Sequence, residues 1–175
     1  MGKRSNKPRV ERDFYPTPEH AVLPLDKHLS PCTNFDEPCC GDGALQQILE
    51  SMGHRCQHRS DIEPQCSAAK INAMDLDFCA SDVFITNPPY TWKILDPLIT
   101  HLSNMAPTWL LLPADMMHNK RMAPHMAYCE KVVSVGRVKW FGNTSGMENS
   151  AWYLFDKEHT GDTKFYARCV KAKNI

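Results

Sequence analysis

Short apolar runs alternate along this chain with longer stretches in which the apolar residues recur at helical spacing. The runs at 82–86 (DVFIT) and 108–113 (TWLLLP) are apolar almost throughout, which is typical of strands buried on both faces of a sheet. Further strands are predicted at 33–38, 54–62, 131–141, 151–156 and 164–169. Helices are predicted at 17–29, 44–53, 64–74, 91–105 and 114–129.

This alternation predicts an α/β fold, a doubly wound sandwich of Rossmann type with a mostly parallel sheet covered on both faces. The last strands follow one another without a helix, so an antiparallel strand is expected at one edge. The ligand should then lie beyond the carboxyl ends of the strands, where the strand order reverses. Thr17 and Pro18 are expected to cap and begin the first helix, and Pro24 to kink or shorten it.

The length of 175 residues and the hydrophobic fraction of 42% fit one globular unit. Lysine and arginine number 20, as do the acids, so the net charge is zero and identifies no partner. We expect a flexible basic arm at 1–12 and a single domain at 13–175. The arm carries Lys3, Arg4, Lys7 and Arg9. It either binds phosphates or only keeps the terminus solvated.

No apolar stretch approaches the roughly 20 residues of a membrane span, and the first residues do not form a secretory signal. A cytoplasmic protein without membrane contact is therefore expected. The eight cysteines form no Cys-x-x-Cys pair, which favours reduced thiols. His54, Cys56, His58 and Cys66 lack a usual zinc spacing, and alternation along a strand explains them, so no metal is predicted.

The segment EPCCGDG, residues 37–43, follows the first predicted strand. Gly41 and Gly43 form a G-x-G turn, and glycine there lets the backbone approach a ligand closely. Gln46 stands where the dinucleotide fingerprint has its third glycine, and no phosphate-loop lysine follows. The turn therefore suits a nucleoside without a pyrophosphate, or it is a tight turn with no ligand.

Two acidic positions follow at later strand ends. Asp61 closes the next predicted strand, where its carboxylate can accept two hydrogen bonds from a ribose diol or cap a helix. Asp77 can accept a hydrogen bond from an adenine amino group while Phe78 packs on the ring, or Asp77 only shapes a turn.

The sequence Asn87-Pro88-Pro89-Tyr90 ends the buried run at 82–86. An Asn-Pro pair alone is most often a turn. Here it shares one predicted rim with the G-x-G turn and the two acidic positions. The joint occurrence of these features indicates chemistry.

Together these features resemble the class I S-adenosylmethionine-dependent methyltransferases, and among them the enzymes that modify adenine N6. Asn87–Tyr90 matches the D/N-P-P-Y/F/W catalytic motif of that family. The segment 37–43 is similar to its cofactor motif, with Glu37 at the acid position. The segment 15–18 (YPTP) resembles the cofactor segment of small phage-type DNA adenine methyltransferases, and the closing strands are similar to theirs.

The resemblance implies S-adenosylmethionine as cofactor and DNA as substrate, in a bacterial cell or in the host of a phage. The implied cofactor residues are Tyr15, Thr17, Glu37, Cys39, Gly41, Gly43, Asp61, Ile62, Asp77, Phe78 and Asn87. The implied catalytic residues are Asn87, Pro88, Pro89 and Tyr90. Phe141, or Trp140, is either the second wall of a base pocket or a core aromatic. Lys139 and Arg137 either contact phosphates or form the charged surface of a strand.

The chemistry explains the motif. Adenine N6 is a poor nucleophile because its lone pair is delocalised into the ring. The Asn87 side-chain oxygen and the Pro88 carbonyl can each accept one N6 hydrogen, which aims the lone pair at the methyl group. Pro88 and Pro89 stiffen the loop, and Tyr90 offers a face on which a flipped base can stack.

Other functions stay open at this point. The same chemistry acts on structured RNA or on a protein glutamine amide, and a catalytically silent cofactor-binding subunit is a further alternative. No segment is long enough for a separate target-recognition region. Specificity for a target sequence is then low, comes from loops 114–128 and 142–150, or needs a second subunit. A homodimer is the other partner arrangement left open. A role in restriction-modification rests on the resemblance alone.

Overall fold

The computed structural model describes residues 15–140 and 149–168, which form one eight-stranded sheet with helices on both faces. The strands are β1 (Asn34–Glu37), β2 (Arg55–Asp61), β3 (Ala69–Lys70), β4 (Val83–Thr86), β5 (Thr108–Pro113), β6 (Cys129–Arg137), β7 (Asn149–Phe155) and β8 (Lys164–Tyr166). The helices are α1 (Glu19–Asp26), α2 (Ala44–Ser51), α3 (Trp92–Met105) and α4 (Ala123–Met126). Two 3-10 helices span Ala73–Asp75 and Ala114–His118.

The strand order is β3-β2-β1-β4-β5-β7-β6-β8. Strands β1 to β5 pair in parallel, β7 runs antiparallel to both of its neighbours, and β8 is parallel to β6. The predicted doubly wound, mostly parallel fold is confirmed. The antiparallel strand lies two positions inside the edge, because β6 and β8 pair beyond it. The order reverses between β1 and β4, which is where such sheets bind ligands.

Two apolar layers cover the sheet. Val22 of α1 and Leu49 of α2 pack with Phe35 on one face. Ile99 of α3 packs with Tyr153 on the other face. Burying each such side chain contributes about 1.5–3 kcal/mol, so these layers hold the strand ends in place.

The predicted helix at 64–74 is wrong. The short strand β3 pairs there with the end of β2, and Asn72 then accepts a hydrogen bond from the Met74 amide at 3.1 Å. Asn72 is the N-cap of a 3-10 helix, which forms here in place of an α-helix. The predicted helix at 114–129 is confirmed only in part, since it divides into a 3-10 helix and the four-residue α4.

The start of the first helix also differs from the prediction. Pro18 is the N-cap of α1, and its first helical residue follows. Thr17 does not cap the helix, because its hydroxyl accepts a hydrogen bond from Asn87. Pro24 lies inside α1, whose end two residues later agrees with the predicted shortening.

No helix within residues 15–140 or 149–168 is long and apolar enough to cross a membrane. The predicted basic arm, Phe141 and the loop residues 142–148 lie outside the described residues.

Candidate active site

A cavity of about 1060 Å³ opens at the reversal of strand order, beyond the carboxyl ends of β1, β2 and β4. Small-molecule sites typically enclose about 300–1,000 Å³, so this space can hold a nucleoside-sized ligand. The structure brings nine of the predicted site residues to its walls. They are Tyr15, Thr17, Glu37, Cys39, Gly41, Asp61, Ile62, Asn87 and Pro89.

The G-x-G turn forms one wall and depends on left-handed backbone geometry. Gly41 has a φ of 52° and Gly43 a φ of 80°, values that favour glycine. The Gly43 amide donates to the Cys40 carbonyl at 2.7 Å, and the Cys40 amide donates to the Ser60 carbonyl at 3.0 Å. Gly43 does not line the cavity but is the N-cap of α2, so it sets the exit of the turn.

Asp61 fastens that turn to the end of β2. Its Oδ2 accepts from the Gly41 amide at 2.9 Å, and its Oδ1 accepts from the Glu63 amide at 2.8 Å. Each carboxylate oxygen has two lone pairs, so each keeps acceptor capacity for a ligand hydroxyl. Both the orientation of Asp61 and the path of the turn are therefore fixed by backbone hydrogen bonds.

Glu37 brings a buried carboxyl group to the cavity. Its side chain is 2% exposed, and its Oε2 has no hydrogen-bond partner among the described residues. Burial raises the pKa of Glu37 well above its ordinary value, while the backbone amide of Gln46 opposes that rise. A buried, unpartnered carboxyl oxygen is costly, and a cationic ligand group in the cavity would satisfy it.

Asn87 is held in one orientation beside this cavity. Its Nδ2 donates to the Tyr15 carbonyl and to Thr17 Oγ1, both at 3.1 Å. A backbone carbonyl can only accept, so the amide nitrogen must face Tyr15 and the Oδ1 must face away. The Tyr90 hydroxyl donates to that Oδ1 at 2.8 Å.

The remaining residues of the motif, Pro88 to Tyr90, follow Asn87 and differ in burial. Pro88 is buried and Tyr90 is half-buried against the apolar layer that includes Leu95 of α3. Neither lines the cavity, whereas Pro89 does. The ring of Tyr90 therefore lies next to Asn87 without entering the cofactor-sized space.

The structure does not bring Asp77 and Phe78 to the cavity. Both are exposed, Phe78 at 67%. The 3-10 helix after β3 occupies that wall instead, and Asn72 and Met74 line it. Sequence reasoning missed these two residues because it placed a helix there. The Asx-type cap formed by Asn72 was the local signal for a turn.

The side of Asn87 nearest β6 carries aromatic and basic residues. The rings of Tyr15 and Trp140 lie 5.6 Å apart between centroids at an interplanar angle of 59°. Lys139 is exposed, and its backbone amide donates to His20 Nε2 at 3.3 Å. Of the two predicted aromatic residues, Phe141 lies outside the described residues, and Trp140 contacts the cavity wall through Tyr15.

The thiols of Cys39 and Cys40, beside the cavity, remain protonated. Burial raises the pKa of Cys39 to about 12 and raises that of Cys40 as well. The Sγ atoms of Cys40 and Cys66 lie 3.8 Å apart. Neither Cys39 nor Cys40 is therefore positioned as a thiolate nucleophile.

In the part of the chain that the structure describes, no group of three or more histidine, cysteine, aspartate or glutamate side chains could hold a metal ion. His54 and Cys66 point to other partners: His54 contacts Asp26 at 3.1 Å and Cys66 contacts Cys40.

Solved structures share this architecture at low sequence identity. A candidate RNA methyltransferase from Pyrococcus horikoshii has a TM-score of 0.65 and 12% identity, over 87% of this chain and 91% of that one. A candidate class I S-adenosylmethionine-dependent methyltransferase from Listeria monocytogenes has a TM-score of 0.57 and 13% identity, over 93% and 68%. The chain has the class I methyltransferase fold.

The same fold also occurs in larger assemblies. A modification subunit of a candidate type I restriction enzyme from Vibrio vulnificus has a TM-score of 0.57 and 12% identity, over 91% of this chain. This chain spans 48% of the length of that subunit. No model of a known protein family and no curated protein sequence matches the chain.

Proposed function

We propose that this protein transfers a methyl group from S-adenosylmethionine to the exocyclic N6 of adenine in DNA. The orientation of Asn87 carries the proposal. Its amide nitrogen is held by Tyr15 and Thr17, so its Oδ1 faces the side of Tyr90 as an acceptor. An acceptor fixed in this way suits a planar amino group that must be held and aimed.

The cavity residues fit the cofactor. The unpartnered Glu37 Oε2 suits the cationic amino group of the methionine moiety, and the two oxygens of Asp61 suit a ribose diol. Ile62 and Met74 offer apolar contacts for the adenine ring. When bound, S-adenosylmethionine supplies a sulfonium-activated methyl group, so the protein needs to position its substrates rather than provide a strong base.

Asn87 and Pro88 are the residues that bind the amino group of the substrate. Asn87 Oδ1 accepts one N6 hydrogen and the Pro88 carbonyl accepts the other. These hydrogen bonds draw the nitrogen lone pair out of conjugation with the ring and aim it towards the cavity. As the bond between N6 and the methyl group forms, the methyl–sulfur bond would break to leave a neutral thioether, and N6 would release one hydrogen as a proton to water. A base must leave the duplex to reach this position, and in this proposal the ring of Tyr90 stacks on it.

The test measures methyl transfer and cofactor binding separately. The full chain is incubated with S-adenosylmethionine labelled in its methyl group and with DNA, RNA or protein of mixed sequence. We expect label in DNA as N6-methyladenine. Asn87→Ala should lower the rate at least a hundredfold, since losing one preorganised acceptor costs about 3–4 kcal/mol in related sites. Its dissociation constant for S-adenosylmethionine should stay within a few-fold of the wild type.

Ser103→Ala is a matched control, because Ser103 is a buried polar residue whose hydroxyl bonds only within α3. It should leave transfer unchanged. Cofactor binding without transfer to any substrate would overturn the enzymatic proposal and favour a silent cofactor-binding subunit. Label in protein alone would point to glutamine methylation.

Structured RNA is the second candidate substrate. It is favoured by the similarity to a candidate RNA methyltransferase and to a dimethyladenosine transferase from Plasmodium falciparum, which has a TM-score of 0.53 and 15% identity. Label in RNA alone would establish this alternative. The type I modification subunit makes a second subunit a plausible partner in either case.

A further inference from the structure

Three polar side chains gather at the rim that holds Asn87. His20 lies in the first turn of α1, Lys139 follows β6 and Arg168 follows β8. Strands β6 and β8 are parallel to each other, and both run in the direction of β5 because β7 is antiparallel to its two neighbours. Their carboxyl ends therefore open on the same edge of the sheet as the cavity. We call these three residues the basic cluster.

Arg168 is placed by a glycine. A Cβ atom on Gly136 would lie 3.0 Å from Arg168 Nη1 and 3.2 Å from its Cδ, and Gly136 has a φ of 89°. The guanidinium group therefore lies across bare backbone that any other residue would fill. This packing holds the charge of Arg168 over the end of β6, and the charges of Arg168 and Lys139 both act on His20.

His20 is neutral, because one of its ring nitrogens accepts a hydrogen bond. Its Nε2 accepts from the Lys139 amide at 3.3 Å, so its proton is on Nδ1. Burial lowers the pKa of His20, and the charges of Lys139 and Arg168 lower it further. The basic cluster thus combines two cations with one N–H donor.

These charges have no acidic partner within the described residues. The ion pairs found there join His54 to Asp26, His125 to Asp96 and Lys131 to Glu130. Neither Lys139 nor Arg168 lies within 4 Å of a described carboxylate. An exposed pair of cations that has no described carboxylate within 4 Å favours an external anion.

The basic cluster is connected to the candidate active site. The ring of Trp140, next to Lys139 in the chain, contacts the ring of Tyr15. The Tyr15 carbonyl in turn accepts from Asn87 Nδ2. A chain of contacts therefore links the residue beside Lys139 to Asn87 through Tyr15.

We propose that the basic cluster binds a phosphodiester group of the nucleic-acid substrate while one of its bases lies at Asn87. This inference rests on the proposed function and names the residues that hold the backbone. Arginine donates in a fork that matches two phosphate oxygens, and lysine supplies a point charge. Such contacts set the register of the substrate without reading its sequence.

The test is the salt dependence of nucleic-acid binding by the full chain. Labelled DNA and RNA oligonucleotides are titrated between 50 and 200 mM salt with wild type and with Lys139→Gln/Arg168→Gln. Each lost phosphate contact reduces the slope of log K against log salt by about 0.7–0.9. Losing this one phosphodiester contact should therefore make the loss of affinity across this range about threefold smaller in the double variant, with unchanged binding of S-adenosylmethionine.

Two controls separate charge from structure. Lys139→Arg/Arg168→Lys keeps both charges and should keep the slope. Arg55→Gln removes an exposed cation at the opposite end of β2 and should also keep it. In the wild type, the pKa of His20 followed by NMR should rise when oligonucleotide binds, because a phosphate opposes the two cations.

An unchanged slope in the double variant, or no rise in the pKa of His20, would overturn the basic cluster while the proposed function stands. A wild type that binds neither DNA nor RNA would overturn both. A slope change with RNA alone would support the basic cluster and overturn DNA as the substrate.

Discussion

The two sides of Asn87 are held by different kinds of contact. On the proposed cofactor side, the Gly41–Gly43 turn and Asp61 are joined by hydrogen bonds to backbone amides. On the proposed target side, the contact is between side chains, from the Tyr90 hydroxyl to Asn87. A small cofactor can bind to backbone groups that are already in position, whereas binding a macromolecule commonly changes the rotamers of interface side chains. Variants of Asp61 and of the Gly41–Gly43 turn should therefore alter both cofactor binding and stability, and variants on the proposed target side should alter transfer alone.

Asp61→Ala should produce the largest effect on cofactor binding. It removes the acceptor for two backbone amides and for the proposed ribose hydroxyls, and hydrogen bonds to a charged group are worth about 1.5–3 kcal/mol each. We expect the dissociation constant for S-adenosylmethionine to rise about a hundredfold by calorimetry. The free energy of unfolding should fall by about 1–2 kcal/mol, because Asp61 is only half-buried. Unchanged stability would contradict the backbone-held cofactor side.

Glu37→Gln should weaken the cofactor by about tenfold without lowering stability. The substitution keeps the shape of the side chain but removes the charge proposed to face the methionine amino group. The ligand-free protein loses a costly buried carboxylate in exchange, so its free energy of unfolding should stay equal or rise. Calorimetry and chemical denaturation measure the two quantities. A loss of stability together with intact cofactor binding would mean that Glu37 is a structural group.

The pH dependence of stability gives an independent check on Glu37. Its pKa is raised in the folded protein, so above the unfolded value of about 4.3 the folded state retains a proton that the unfolded state has released. The contribution of Glu37 to stability is complete below that value and is lost as the pH rises through the folded pKa. The wild type should therefore lose stability relative to Glu37→Gln as the pH increases from 4.3 into this range.

The sequence predicted the turn at 41–43 and Asp61 on the cavity wall better than the wall that follows β3, for a physical reason. Glycines at 41 and 43 and an acid at the end of β2 are local requirements of one turn, so their spacing is visible in the chain. Asp77 and Phe78 were misplaced because Pro64 and the alanines after it imitate a helix start. Pairing of β3 with the edge of β2 overrides that preference, and such pairing is decided by the sheet rather than by local residues.

The hydrogen bonds around Asn87 could not be predicted for a different reason. Thr17 and Asn87 are 70 residues apart, and only the closed fold brings the hydroxyl to the amide. Locally, Thr17 before Pro18 signals a helix cap, and the long-range contact takes the hydroxyl instead. The motif at 87–90 was predictable as chemistry, but the orientation of its amide was not.

Thr17→Val should affect transfer without affecting stability strongly. It keeps the shape of a side chain that is 6% exposed but removes one of the two acceptors that orient Asn87 Nδ2. One neutral hydrogen bond is worth about 1 kcal/mol, which corresponds to about a fivefold lower kcat. Single-turnover methyl transfer measures the effect. Thr17→Ser retains the hydroxyl and should restore most of the rate, whereas a Ser variant as slow as Val would show that packing matters and not the hydrogen bond.

Tyr90→Phe should have the smallest effect, and it tests whether the target side is adaptable. The hydroxyl occupies one lone pair of Asn87 Oδ1, and the other lone pair is available to an N6 hydrogen. Removing the hydroxyl keeps the ring for stacking, so we expect kcat/KM within about twofold of the wild type. Tyr90→Ala removes a stack worth about 1–3 kcal/mol and should lower kcat/KM by tenfold or more. If Phe were as slow as Ala, the hydroxyl would be needed to hold Asn87 Oδ1, and the target side would be as preorganised as the cofactor side.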